Sequence, residues 1–277
     1  MNDSTPHTLQ QLFDARYGQG PQAPQESNST LDTLMQHRSV RAFTDQPLPP
    51  NTLELLIAAA QSASTSSNLQ TWSVIAVEDP ARKQRLSTLA GNQAFINSCP
   101  LFLVWIADLA RMKSMADTRE KPYGSLDYLE MMLVATIDSA LAAQNAAIAA
   151  ESLGLGTCYI GAIRNDLEGV AQELGLPPRA FATFGMCVGY AEPAQLSAIK
   201  PRLPQASVLH KEQYNMGIHG AVIERYNDTM DAFYAAQSMK PLGAWDLHSL
   251  NRVRGPEAMN GRDVMVAALH RLGFALK

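Results

Sequence analysis

The sequence predicts an α+β protein. Helical patterns outnumber strand patterns, the apolar strand-like runs fall at irregular intervals, and no G-x-G-x-x-G or GxxxxGK[ST] fingerprint is present. That absence argues against a dinucleotide-binding Rossmann domain. From the N-terminus, Leu9, Leu12 and Phe13 stand at helical spacing, and Gly18 can stop that short helix. Residues 18–30, rich in Gly, Pro, Gln and Ser, read as a linker, so an arm over 1–29 is expected before a domain over 30–277. Thr30-Leu31-Asp32 opens a helix that ends near His37. Pro47, Pro49 and Pro50 make a turn, and Asn51 is placed as the N-cap of a helix to about Ala63. Strands are expected over 71–77 and 101–107.

The main helical signal runs over 127–153, with Leu129, Met132, Leu133, Ile137, Leu141, Ala147 and Ile148 spread around nearly every side. Such a helix must be covered all round, either by its own core or by a second subunit. Its alanines permit close approach and favour a packed interface, and Gly154 and Gly156 stop it. Residues 157–161 read as a short strand or strand-like loop, Asn165 or Asp166 caps a helix through Leu174, and 182–190 is a further strand. Extended chain then leads to helices over 223–236 and 264–272.

Composition narrows the function classes. With 277 residues, 46% of them hydrophobic and 17% charged, the chain has ample material for a core. A net charge of −4 gives no electrostatic case for nucleic acid or an anionic membrane. The densest apolar run, 100–107, is far short of the roughly 20 residues that span a bilayer. Cys99, Cys158 and Cys187 lack metal spacing and sit among apolar residues, so they read as core filler, with a redox pair as the minor alternative. Met1 to Pro6 lack the basic start and apolar stretch of a signal peptide, so a reducing cytoplasm is expected.

Two segments carry chemistry. His37-Arg38-Ser39-Val40-Arg41-Ala42-Phe43 sets two guanidiniums, an imidazole and a hydroxyl within five positions. Ser64-Thr65-Ser66-Ser67-Asn68-Leu69-Gln70 is a run of short hydroxyls closed by amides. Charge-assisted donors suit a phosphate, and short polar groups suit a polyol or a heteroaromatic edge. Flavin mononucleotide has all three parts. Taken singly, each segment also fits an ordinary part: the arginines a solvated helix end, the hydroxyl run a loop or cap, Lys200-Pro201-Arg202 a surface loop.

The order of the segments carries more than any one of them. His37 to Phe43, Thr65 to Gln70, Gly91-Asn92-Gln93, Ala142 to Ala146 through Glu151 to Gly156, Tyr159 to Asn165, and Lys200 to Pro204 together resemble the nitroreductase superfamily, in its oxygen-insensitive NADPH nitroreductase and flavin reductase branch. The resemblance covers about residues 30–235. It implies a mainly antiparallel central sheet flanked by helices, in an intertwined homodimer with FMN in the subunit interface. It assigns His37, Arg38, Ser39 and Arg41 to the phosphate and ribityl end, with Lys200 and Arg202 completing the clamp. It brings Thr65, Ser66, Ser67 and Gln70 from the other subunit, and sets Gln93 at the pyrimidine edge. Tyr159, Ile160, Gly161 and Ala162 would line the ring face, and Glu130 matches a carboxylate near the nicotinamide.

By that resemblance the reaction is a ping-pong transfer from NADPH or NADH through FMN to a nitroaromatic, a quinone or free flavin, with no indispensable acid or base. Other enzymes on the same scaffold, such as a reductive dehalogenase, or a non-catalytic flavin-binding protein, are the alternatives. Two departures stand out. Ala162 replaces a second glycine of the branch, and the 238–245 stretch offers only Lys240 where the branch has arginines for the 2′-phosphate of NADPH.

Overall fold

The computed structural model describes residues 8–18 and 21–277. The reading of Met1 to Pro6, and residues 19 and 20 of the expected linker, lie outside these described residues. Along the described chain, α1 (Leu9–Tyr17), α2 (Ser29–Gln36) and α3 (Thr52–Gln61) precede β1 (Trp72–Val77). Next come α4 (Pro80–Leu89), α5 (Ala94–Ser98), β2 (Leu101–Asp108), α6 (Ala110–Thr118) and the long α7 (Leu129–Ser152). The rest is β3 (Gly156–Ile160), α8 (Leu167–Leu174), β4 (Ala180–Gly189), α9 (His219–Ala236), α10 (Trp245–Arg252) and α11 (Met265–Arg271).

These elements gather into two compact units. One comprises the described chain up to Arg38 with Ser197–Ala258; the other comprises Ser39–Leu196 with Met259–Lys277.

The second unit is built on a sheet of order β1-β2-β4-β3, with every pairing antiparallel. Strand β2 shows why its sequence is an unbroken apolar run. Phe102, Val104 and Ile106 enter one core cluster, while Leu101, Leu103 and Trp105 enter another on the opposite face. Both faces are covered, so alternation disappears. Close packing there needs Gly185 on β4: a Cβ at that position would stand 2.3 Å from the Phe102 ring. The three cysteines are free and buried in the first of these clusters, as core filler.

Helix α7 divides its faces by side-chain size. Ala142, Ala143, Ala146, Ala147 and Ala150 are buried with Leu56 and Ala60 of α3 and with β2, so the alanines serve close approach inside the unit. Leu129, Leu133, Ile137 and Leu141, four residues apart, remain 43–56% exposed. By length and composition α7 could also cross a membrane, but its alanine face is packed against the sheet.

The first unit is helical. Tyr226, Met230 and Tyr234 of α9 form its core with Leu203 and Trp245, the Tyr226 and Trp245 rings meeting edge-on at 4.9 Å. Its helix α1 opens with a capping box, the Thr8 hydroxyl accepting from the Gln11 amide and the Thr8 amide donating to the Gln11 side chain.

Several local expectations change. Asn51 does sit before α3, but in the left-handed region (φ 64°) with no side-chain cap; the Thr52 hydroxyl donates to Pro49 O at 2.7 Å instead. Of the two residues offered as the α8 cap, Asp166 does it, accepting from the Gly169 amide at 2.8 Å. Helices α4, α5, α6 and α10 have no counterpart in the sequence reading. For α4 a signal existed: Asp79 accepts from the Arg82 amide at 2.7 Å and Pro80 occupies the first turn.

Candidate functional site

In the first unit, the cationic residues meet around main-chain ties. Helix α2 ends at Gln36 and delivers His37, its C-cap, and Arg38. Both are half-buried, and an Arg38 Nη1 lies 3.4 Å from Ser197 O. Arg202 is exposed, with its guanidinium near the carbonyls of Lys200 and Pro201 at 3.3 and 3.4 Å. Tyr226 supports this loop from below, donating to Pro201 O at 2.9 Å. Segments 37–38 and 200–202, about 160 positions apart in the chain, thus lie in one unit.

In the second unit, Ser39 forms a parallel bridge with Thr157, and the Val40 amide donates to Thr157 O at 2.9 Å. The basic segment therefore runs alongside β3, which ends in Tyr159 and Ile160 and leads on to Gly161 and Ala162. Close approach requires Gly156, since a Cβ there would fall 2.5 Å from a Val40 methyl. Arg41 is exposed and makes no hydrogen bond or ion pair among the described residues. Tyr159 stacks edge-on against Phe184 at 5.3 Å, its hydroxyl 3.4 Å from Gln144 Oε1. Burial pushes its phenol well above the ordinary tyrosine range, and Glu151 adds to the shift. Tyr159 therefore stays neutral and acts through its ring and its hydrogen-bonding hydroxyl. After Ile160 the chain turns through a short helical segment, Gly161–Asp166, which places Ala162 half-buried against the core. Glycine is not needed at Ala162, whose φ is negative.

The hydroxyl run is held by a residue that sequence reading missed. Asp138 of α7 is 1% exposed and collects four donors. Its Oδ1 accepts from the Ser66 amide at 3.0 Å, and its Oδ2 from the Thr65 hydroxyl at 2.7 Å and from the Thr71 amide and hydroxyl at 3.2 and 3.1 Å. The Thr65 hydroxyl in turn accepts from the Gln70 amide at 2.9 Å. It points inward, as a strut. Ser66, Ser67 and Gln70 stay exposed. Ser67, Asn68 and Gln70 have φ of 49°, 55° and 53°, three left-handed non-glycine residues within four positions. Strain of this kind persists only where surroundings enforce it. Arg111 contributes, donating to Gln70 O and Trp72 O, both at 3.0 Å.

Gln93 follows a left-handed turn at Gly91 and Asn92 (φ 73° and 60°), its carbonyl accepting from the Ser87 hydroxyl at 3.0 Å. Its amide has no partner among the described residues. Glu130 stands exposed in the first turn of α7, likewise without one. A second missed residue is Arg164, which donates to Thr183 O and lies against Gly161, where a Cβ would sit 3.4 Å from its Nη2. Burial lowers its pKa, helped by the nearby charge of Arg262. The three Cys residues and the acidic groups offer no cluster fit for a metal among the described residues.

An antiparallel sheet flanked by helices, with a basic segment laid along β3 and a braced polar loop, defines a class of protein. The chain belongs to the nitroreductase family: residues 34–190 match that family and residues 200–277 match its C-terminal domain. It is 44% identical over 210 residues to an FMN reductase (NADPH) of Bacillus subtilis, covering 75% of this chain and 84% of that one. It is 36% identical over 249 residues to an oxygen-insensitive NADPH nitroreductase of Salmonella typhimurium, covering 90% and 99%. Among solved structures, NfrA2 of B. megaterium superposes with a TM-score of 0.85 at 36% identity, over 91% of this chain and all of that one.

Proposed function

We infer that this chain is an FMN-dependent NAD(P)H oxidoreductase that reduces planar acceptors such as free flavin, nitroaromatics and quinones. The carrying observation is the donor set, together with relatives named for flavin reduction and nitroreduction. In the first unit, His37, Arg38, Lys200 and Arg202 supply cations and donors for a phosphate. In the second, Ser39 and Arg41 serve the phosphate and ribityl end, while Ser66, Ser67 and Gln70 offer short polar groups, with Thr65 bracing them. Gln93 presents a free amide for the pyrimidine edge of a flavin, and Tyr159, Ile160, Gly161 and Ala162 serve its face. Glu130 serves the nicotinamide side.

When bound, FMN supplies the capacity to accept a hydride and pass electrons on. The chain's own task is to bind, orient and exclude water. Main-chain amides at 160–162 would stabilise negative charge at a reduced ring, a fixed-dipole contribution that needs no side-chain acid. Free, buried thiols fit work in the reducing cytoplasm. We further propose a homodimer. The Leu129, Leu133, Ile137 and Leu141 stripe is an uncovered apolar face on a core helix, flanked by Tyr128 at 54% exposure. Replacing Ile137 by Asp is expected to yield a monomer by analytical ultracentrifugation; a dimer unchanged by it would move the interface elsewhere.

The test of function is optical. Purified protein should be yellow, and should bleach within seconds of adding NADPH or NADH under anaerobic conditions. Regaining colour on addition of a quinone or nitrofuran completes the cycle. A yellow protein that never bleaches would be a carrier rather than an oxidoreductase.

A further inference from the structure

Helix α1 lies before residue 34, outside both segments matched to the family, yet it is anchored inside the first unit. Leu12 is 1% exposed and Arg16 is 5% exposed. An arginine buried at the end of a short helix needs a reason, since its ordinary place is in water. The Arg16 guanidinium is turned onto main-chain carbonyls. Its Nη1 donates to Lys200 O at 2.9 Å, and its Nη2 donates to Met35 O at 3.2 Å and, more closely, to His37 O. Its own carbonyl accepts from the Arg202 amide at 2.8 Å.

These four ties have a common geometry. Met35 and His37 are at the C-terminal end of α2, where helix carbonyls lack partners and the helix dipole is negative. A cation there is a helix cap, and the capped helix is the one that delivers His37 and Arg38. The remaining ties fix Lys200 and Arg202. A planar guanidinium with donors in a fixed fork can hold several carbonyls at set angles, which an ammonium cannot do. The two segments that supply cations for the phosphate are therefore registered against each other by one side chain from a third segment.

We propose that Arg16 is a positioning residue, and that α1 is an added brace that sets the phosphate-binding cations of this chain before the cofactor arrives. The proposal rests on the reading that residues 37–38 and 200–202 take the FMN phosphate. Holding like charges together without ligand is unfavourable, and fixing them in the binding arrangement in advance removes an ordering cost from binding. Arg16 thus acts on the phosphate through its neighbours and not by contact.

Riboflavin, which lacks the phosphate, separates this role from a general loss of fold. Affinities of FMN and riboflavin for flavin-free, full-length protein are read by quenching of flavin fluorescence. Arg16→Met is expected to weaken FMN about tenfold, in line with the loss of a charge-assisted contact, while riboflavin stays within about twofold. Arg16→Lys, which keeps the charge but not the fork, should fall between, and serves if the methionine variant does not fold. FMN affinity unchanged in whichever of these folds, or FMN and riboflavin weakened equally, overturns the brace. Arg38→Ala and Lys200→Ala test the underlying reading. If neither reduces the preference for FMN over riboflavin, the phosphate site is misplaced; if they do and the Arg16 variants do not, only the brace fails.

Discussion

Two buried charges, Arg16 in one unit and Asp138 in the other, do the same kind of work with opposite signs. Arg16 is a cation that holds carbonyls; Asp138 is an anion that holds amide and hydroxyl protons. Each ties a segment of the proposed ligand site to a helix. The consequences of losing them differ, because the groups they leave behind differ. A buried N–H has one proton and no second choice of partner, while a carbonyl has two lone pairs and tolerates partial satisfaction. Lys200 O, for one, also faces the Arg202 guanidinium at 3.3 Å. The anion is the more deeply committed of the two, although Arg111 also braces the strained loop it holds.

The largest effect should therefore come from Asp138→Ala. It orphans the buried amide of Thr71 and takes the acceptor from the partly buried amide of Ser66, at about 1–3 kcal/mol for an unsatisfied buried donor, so a loss of about 3 kcal/mol is expected. Urea unfolding followed by circular dichroism reads it, and a loss under about 1 kcal/mol would show that the loop finds other partners. Next is Arg16→Met, expected to cost only about 2 kcal/mol, because three carbonyls lose a charged donor but none is an orphaned N–H. Should the arginine variant prove the less stable in the same urea experiment, the ranking by donor and acceptor would be wrong.

A half-buried charge sharpens the contrast. Asp127 has a side chain 23% exposed, and accepts from Lys277 Nζ at 2.8 Å and Arg179 Nη2 at 2.6 Å. Those hydrogen bonds, Lys277 first, hold its carboxyl below the ordinary aspartate value. A depressed folded value means stability that is present above the unfolded pKa and is lost as pH falls through the folded one. Asp127→Asn should thus be slightly less stable than the parent at pH 7, and the gap should close below about pH 4. Thermal melts across that range check it, and a gap that persists at acid pH would assign the effect to packing. This is the smallest of the three, since Lys277 is exposed and water still reaches Asp127, which screens the interaction.

The candidate site was legible in the sequence to very different degrees. The cationic segments at 37–41 and 200–202 were visible because charge and order survive in a linear string. So was the hydroxyl run, but not the direction of its groups: Thr65 turns inward to Asp138, and nothing local says so, because its partner is 73 positions away. Asp138 and Arg16 looked ordinary, a lone acid in an apolar helix and a basic residue at a helix end. Arg164 had a signal in its place directly after the Gly161 turn, yet only burial shows that its guanidinium reaches Thr183 O. Helix α4 was missed because its amphipathic pattern is weak, and its Asp79-Pro80 start was the local cue.

By itself the sequence determined the element types with strong periodicity, the buried strand β2, the all-round apolar character of α7, and the chemical inventory of cations, hydroxyls and amides. These are properties of neighbours along a chain, where propensity and pattern act over a few residues. Tertiary structure alone decided which face of α7 its own core covers, and which hydroxyl is a strut rather than a contact. It also decided that two isolated charges, one basic and one acidic, hold the site's segments in place. Those outcomes depend on pairs far apart in the chain, and a buried polar group takes its meaning only from the partners that folding brings to it.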